Sequence, residues 1–184
     1  LRFGLIGCGF FAQNHLNAWA QMPEVELVAT CDIDSDCADS AAAAFGGTPY
    51  TDAAELLARG DLDFVDIATT PPTHRMMVEL AAEAGVPAIC QKPLAWDMDD
   101  AKAMVHAMAS RNLSFMVHEN FRFQYPMRRV KEVLDSGEIG RPFFARISFR
   151  SDFDVYANQP WCKDAERMII ADVSVHQFDL TRFF

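Results

Sequence analysis

Basic residues are scarce in this chain: 16 lysines and arginines stand against 26 aspartates and glutamates, a formal charge of −10 over 184 residues. The few that exist form no Lys/Arg-rich run and no basic helix, so nothing tracks a phosphate backbone and nucleic acid is not expected as a partner. Long apolar runs are missing as well; none approaches the roughly 20 residues of a membrane helix, and no membrane partner is expected. The five cysteines, Cys8, Cys31, Cys37, Cys90 and Cys162, are odd in number and show no C-x-x-C spacing. Most fall inside apolar runs and read as reduced core thiols, the expectation for a cytoplasmic protein. Internal repeats and low-complexity linkers are absent too. What remains is a chain 51% hydrophobic, enough for one well-filled core and part of a second, as in a soluble enzyme domain.

The most informative stretch lies at the start. Phe3-Gly4-Leu5-Ile6 is an apolar strand that breaks into Gly7-Cys8-Gly9-Phe10-Phe11-Ala12, a Gly-x-Gly-x-x-Ala turn opening a helix over Ala12–Gln21. Gly7 permits a tight turn off the strand, Gly9 leaves no side chain between a pyrophosphate and the backbone, and Ala12 lets the helix pack close. The amides at the helix start would face the phosphates. A second apolar run, Val25–Cys31, ends in Asp32, 20 residues beyond Ala12. At a strand's carboxyl end that carboxylate can accept both ribose hydroxyls of an adenosine and would repel a 2′-phosphate. Between Ile33 and Ala58 stands no Arg or Lys to neutralise one. NAD is therefore expected over NADP.

Strand and helix patterns alternate onward with short connections, which predicts parallel β-α-β units. A helix capped near Asp34 or Ser35 stops at Gly46-Gly47; Thr48–Tyr50 is extended, Asp52–Arg59 helical, Phe64–Ala68 a strand. Thr73–Ala84 and Asp97–Ser110 read as helices, Pro87–Gln91 and Ser114–His118 as strands. The fold class is α/β: a doubly wound parallel sheet over residues 1–120, then the beginning of an α+β open-sheet domain over residues 121–184. In the latter, Pro126–Leu134 is helical and stops at Ser136-Gly137, and Pro142–Arg150 alternates with the period of a half-covered strand. That strand finds no partner, and the apolar helical pattern at Phe184 meets no Gly or Pro stop. A second domain continuing in further residues is expected.

Three clusters carry candidate chemistry. Thr69-Thr70-Pro71-Pro72-Thr73-His74 follows the fourth strand, and Cys90-Gln91-Lys92-Pro93-Leu94 the fifth, which places both on the carboxyl edge beside the glycine turn. Lys92 is there either a working cation at the crevice rim or a solvated surface lysine. The Thr-Thr-Pro-Pro segment reads as a rigid turn whose backbone touches the dinucleotide. In the last helix, spacings of four and seven put Asp172, His176 and Asp179 on one face beside an apolar stripe of Ile169, Val173, Leu180 and Phe184. Asp172 and His176 could share acid-base work on a substrate hydroxyl, form a purely structural pair, or begin a metal site. No third ligand is evident, and no metal is expected. His15, His74, His106 and His118 read as packing or capping residues.

In order and spacing these pieces, together with Glu119-Asn120-Phe121-Arg122-Phe123 and Gly137-Glu138-Ile139-Gly140-Arg141-Pro142, resemble the glucose-fructose oxidoreductase, inositol dehydrogenase and MocA-like family of NAD(P)-dependent oxidoreductases over nearly the whole chain. The resemblance implies that Lys92, Asp172 and His176 meet at the nicotinamide, that Thr69, Thr70, Pro71, His74, Gln91 and Asn120 join Gly7, Gly9, Phe10, Phe11, Ala12 and Asp32 around the cofactor, and that His118 approaches the nicotinamide edge. It implies a second domain used for substrate binding and for contacts in a homo-oligomer. Two departures stand out: Gln91 where the family usually has Glu, and Glu166–Ile170 in place of a glycine-rich run. The expected reaction moves hydride from a secondary alcohol of a sugar or polyol. His176 would act as base, Lys92 would stabilise the alkoxide, and Asp172 would hold a hydroxyl or orient His176. A dinucleotide-sensing regulator of the same fold, and a lyase or glycosidase using NAD transiently, are the rival expectations.

Overall fold

The computed structural model describes residues 1–152, 154–163 and 165–184, with Asn158 and Trp161 in backbone only. The chain divides into two compact units, Leu1–His118 and Glu119–Phe184.

The first unit is built on six parallel strands: β1 (Arg2–Ile6), β2 (Glu26–Cys31), β3 (Thr48–Tyr50), β4 (Phe64–Ile67), β5 (Ala88–Gln91) and β6 (Phe115–His118). Their order is β3-β2-β1-β4-β5-β6, every adjacent pair parallel. The chain runs outward from β1 in both directions, so a crevice opens at the carboxyl ends between β1 and β4, where doubly wound sheets bind ligands. Between the strands run α1 (Ala12–Trp19), α2 (Ser35–Phe45), α3 (Ala53–Leu57), α4 (Pro71–Glu83) and α5 (Met98–Ala109). Short-range chemistry starts three of them. Asp34, Asp52 and Asp97 lie in extended backbone and accept the amides of Asp36, Ala54, and Asp99 with Asp100, each cap contributing about 1 kcal/mol. Helix α4 begins two residues before the expected Thr73, because Pro71 and Pro72 have no amide to lose in a first turn.

Alternation along the strands splits the core into two layers. Phe3 and Leu5 pack with Ala12, Leu16 and Ala41 of α1 and α2. Ile6 joins Leu56, Val65, Ile67 and Val78 on the other face, and Gly4 points there too, where a Cβ would lie 2.8 Å from a Leu56 methyl. Asp66, flanked by Val65 and Ile67, therefore faces the α1 layer, wholly buried.

The second unit holds a 3-10 turn (Phe121–Phe123), α6 (Tyr125–Ser136), α7 (Val155–Asn158), a 3-10 turn (Pro160–Lys163), a π-helical turn (Ile169–Val173) and α8 (Ser174–Phe183). Gly137 ends α6 at φ 75°, as its place after Ser136 predicts. The expected strand over Pro142–Arg150 is corrected. These residues pair with no strand among the described residues and are exposed throughout, Phe143 completely. The alternating pattern supplies a face but no ladder partner, and extended chain without a partner does not form a strand. No helix among the described residues is long and apolar enough to cross a membrane.

Candidate active site

Gly7 leaves β1 at φ 94°, a left-handed conformation that favours glycine, and a Cβ there would lie 2.7 Å from the Thr69 amide nitrogen. Its smallness is thus required by the β4–α4 loop as well as by the turn. A Cβ on Gly9 would meet nothing within 4 Å, so this glycine faces open space. Phe10 is exposed, Phe11 caps α1 without a side-chain bond, and Ala12 is buried against the sheet. The Asp32 carboxylate is anchored from both sides: Oδ2 accepts the Cys8 amide at 2.7 Å and Oδ1 the Asp34 amide at 3.0 Å. It ties the glycine turn to the end of β2 while staying half-exposed. Gly7, Gly9, Asp32, Thr69, Thr70 and Met76 line one cavity of about 490 Å³ at the carboxyl edge. A groove of about 590 Å³ lined by Phe3, Trp19 and Phe45 lies at the amino ends of the strands, away from these loops.

The open space at Gly9, the Asp32 rim and the first turn of α1 fit a dinucleotide: amides for a pyrophosphate, a carboxylate for ribose hydroxyls. Three expected cofactor residues are framework to this cavity. Pro71 is buried in the first turn of α4. His74 is fully buried, with Nδ1 at 3.1 Å from the Pro93 and Leu94 carbonyls and Nε2 at 3.1 Å from that of Thr69. Both ring edges are therefore occupied by backbone, and burial holds this imidazole below its ordinary pKa of 6.5. The ring lies between the turn after Lys92 and the loop after β4, and as a neutral imidazole it donates to one of them. Gln91 is buried, and its Oε1 accepts the Lys92 amide at 2.6 Å. Lys92 itself is half-exposed.

His15 and His118, expected to pack or cap, belong to a polar network in the α1 layer. His15 Nδ1 lies 2.8 Å from Asp66 Oδ2, which also accepts Trp19 Nε1–H at 2.7 Å. His15 Nε2 meets Gln91 Nε2 at 2.8 Å and His118 Nδ1 at 2.9 Å. Asp66 was the legible signal: an acid inside an apolar strand needs a buried donor. The cysteines form no disulfide. Burial, with Asp32 nearby, pushes Cys8 up to about 12 and Cys31 to about 11, so both stay protonated thiols at neutral pH.

In the second unit, His176 Nδ1–H donates to the Glu119 carboxylate, 2.8 Å from each oxygen. Phe121 stacks on the imidazole at 3.7 Å between centroids and 4° between planes. Glu119, given no role from the sequence, thus orients the ring and leaves Nε2 as its remaining nitrogen. Asp172 is buried in the π-helical turn, so its spacing of four from His176 is not that of one continuous α-helix. Asp179, expected on the same face, is gripped bidentately by Arg122, whose guanidinium also lies over Phe183. Asn120 is exposed at the start of the 3-10 turn. Arg167 stands at φ 55°, a conformation that favours glycine, in the stretch that replaces the family's glycine-rich run. Among the described residues no cluster of three His, Cys, Asp or Glu is placed to hold a metal ion.

A doubly wound sheet with a glycine turn and a ribose-side acid defines a dinucleotide-binding protein. Residues 1–119 match the GFO/IDH/MocA oxidoreductase family with NAD-binding Rossmann fold, and residues 127–184 match the GFO/IDH/MocA C-terminal domain. The chain belongs to this family. It is 52% identical over 180 residues to a D-apiose dehydrogenase of Paraburkholderia graminis, covering 97% of this chain and 48% of that protein. A D-apiose dehydrogenase of Rhizobium rhizogenes is 50% identical over 184 residues, 100% of this chain and 53% of the relative. The crystal structure of an oxidoreductase from Agrobacterium radiobacter, in complex with NAD+, L-tartaric acid and magnesium, superposes with a TM-score of 0.95 at 50% identity, covering 100% of this chain and 54% of that one. The chain spans about half the length of the curated relatives it matches.

Proposed function

We propose that the protein is an NAD-dependent dehydrogenase that oxidises a CH–OH group of a small sugar or polyol, with D-apiose the first substrate to try. The observation that carries the reading is the pair of buried His176 and partly buried Glu119. A sensor that only binds the dinucleotide needs no imidazole with one nitrogen held by a carboxylate and the other left for a proton. The substrate class follows from the two D-apiose dehydrogenases at 50–52% identity.

Gly7, Gly9 and the start of α1 would hold the pyrophosphate and Asp32 the adenosine ribose, with Phe10, Phe11, Ala12, Thr69, Thr70 and Pro71 shaping the crevice. Bound NAD supplies the hydride acceptor. His176 Nε2 takes the hydroxyl proton as the alcohol carbon gives up its hydride and becomes a carbonyl; Glu119 stabilises the imidazolium so formed. Lys92 stabilises the alkoxide that develops on the same oxygen. Since Glu119 holds Nδ1, Asp172 is assigned to a neighbouring substrate hydroxyl. We extend the reading to a cytoplasmic homo-oligomer formed through the second domain. The exposed Phe143, Phe144 and Phe149 support a covered surface there.

The test is NADH formation by the full-length protein with NAD and a panel of D-apiose, other sugars and polyols. Glu119→Gln should lower kcat by on the order of a hundredfold, the scale of acid-base help, while the Kd for NAD stays unchanged. NADH accumulation with no member of the panel would refute the dehydrogenase reading, and undiminished turnover in Glu119→Gln would refute the pair.

A further inference from the structure

The buried network under the Lys92 turn has a polarity that its two ends impose. At one end the Lys92 amide can only donate, so the Gln91 atom 2.6 Å from it is the carbonyl oxygen and Gln91 must offer N–H on its other side. That N–H points at His15 Nε2, 2.8 Å away, which must therefore be a lone pair. The ring proton is then on Nδ1, aimed at Asp66 Oδ2 at 2.8 Å. At the far end the indole N–H of Trp19, another obligate donor, reaches the same oxygen at 2.7 Å, so Asp66 Oδ2 is an acceptor to both neighbours. His118 Nδ1 lies 2.9 Å from the same His15 Nε2, so with that nitrogen bare its N–H shares the one lone pair with Gln91. Asp66, His15 and Gln91 are buried, and Trp19, Lys92 and His118 are partly buried.

We propose that Asp66, His15 and Gln91 are positioning residues for Lys92: a one-way chain of hydrogen bonds that fixes His15 as the neutral Nδ1–H tautomer and pins the Lys92 backbone from the α1 side, while His74 lies against the following carbonyls on the other. The chain binds Lys92 through its amide, so it sets where the side chain starts without touching substrate. Its catalytic consequence rests on the role proposed for Lys92; the tautomer does not. A carboxylate at position 91 could still accept the Lys92 amide but has nothing to donate, so His15 would have to supply a proton from Nε2 as well.

Nitrogen-proton correlation spectra of ¹⁵N-histidine-labelled full-length protein at neutral pH test this, with the His15 signals assigned by their loss in His15→Gln. Native His15 should show a protonated Nδ1 and a bare Nε2, and Gln91→Glu should show both protonated. An imidazolium or an Nε2–H tautomer in the native protein, or an unchanged His15 in Gln91→Glu, would overturn the proposal. In turnover, Gln91→Leu should lose on the order of tenfold to a hundredfold in kcat, the scale of a misplaced catalytic group, with the Kd for NAD unchanged. Gln91→Glu should recover part of that loss because it restores the acceptor for Lys92. Undiminished kcat in Gln91→Leu would remove the positioning role. Absence of turnover in every form would count against the dehydrogenase reading alone, since the spectra decide the tautomer.

Discussion

The sharpest test of the cofactor site is removal of the Asp32 charge without its shape. Asp32 is half-exposed and its acidic neighbours Asp34, Asp36 and Asp52 have no basic residue beside them between Ile33 and Ala58. Two unit charges about 4 Å apart repel by about 1 kcal/mol in water and about 4 kcal/mol near a protein surface. A phosphate monoester carries about 1.5 to 2 negative charges, so a 2′-phosphate beside Asp32 costs at least about 1.5 kcal/mol. That is a factor of about ten in affinity. NAD should therefore bind at least about tenfold more tightly than NADP.

Asp32→Ala is an impure test, because Asp32 also accepts the Cys8 amide at 2.7 Å, and an orphaned amide costs about 1–3 kcal/mol. Asp32→Asn keeps an acceptor for that amide and loses the charge, together with the second acceptor that the exposed Asp34 amide uses. Fluorescence titration with NADH and NADPH at low and high salt should show the preference shrinking to about threefold or less in Asp32→Asn, and shrinking partly with salt in the unmodified protein. Asp32→Ala should bind both more weakly than Asp32→Asn. Equal affinities in the unmodified protein, or an unaltered ratio in Asp32→Asn, would refute the electrostatic reasoning.

The two turn glycines should fail differently. Gly7→Ala puts a Cβ 2.7 Å from the Thr69 amide nitrogen at φ 94°, and should cost at least about 2 kcal/mol in denaturant unfolding. Gly9→Ala meets open space, and should leave stability within about 0.5 kcal/mol while weakening NADH binding. Equal loss of stability in both would contradict the distinction. His74 predicts a pH effect. Burial lowers its pKa below 6.5 in the folded chain, so the unfolded chain binds the proton more readily. The stability this contributes is intact above that value and is lost as pH falls toward the folded pKa, with a slope of at most about 1.4 kcal/mol per pH unit. Urea unfolding should show that slope in the parent minus His74→Gln difference; a difference independent of pH would show that His74 does not titrate as described.

Much of the first unit could be read from local patterns. The glycine turn, the Asp34, Asp52 and Asp97 caps and the alternation of apolar strands each depend on residues within a few positions of one another, and the parallel sheet follows from their order. The side-chain networks could not be read this way. His15 and Asp66 are 51 residues apart, and Glu119 and His176 are 57 apart. Periodicity places a residue on a face but does not say which distant side chain meets it there. The Asp172–His176 spacing has a related difficulty: counting in fours assumes a regular α-helix, and a π-helical turn covers Ile169–Val173 before α8 begins. Pro142–Arg150 failed because strand formation needs a partner, which no property of one segment can supply.

The replacement of the family's usual Glu by Gln91 acquires a physical meaning from this network. A glutamate there would place a second carboxylate beside the one on Asp66, with His15 between them. Two buried anions around one imidazole favour the imidazolium, since burial makes an uncompensated charge costly. Glutamine removes one anion and, through its amide hydrogen, also removes the need for a proton on Nε2. The Lys92 turn is then held by neutral donors and acceptors apart from Asp66, whose Oδ2 accepts from Trp19 and faces His15 while its Oδ1 is buried with no hydrogen-bond partner among the described residues. Whatever charge works at this end of the crevice is left to Lys92 itself.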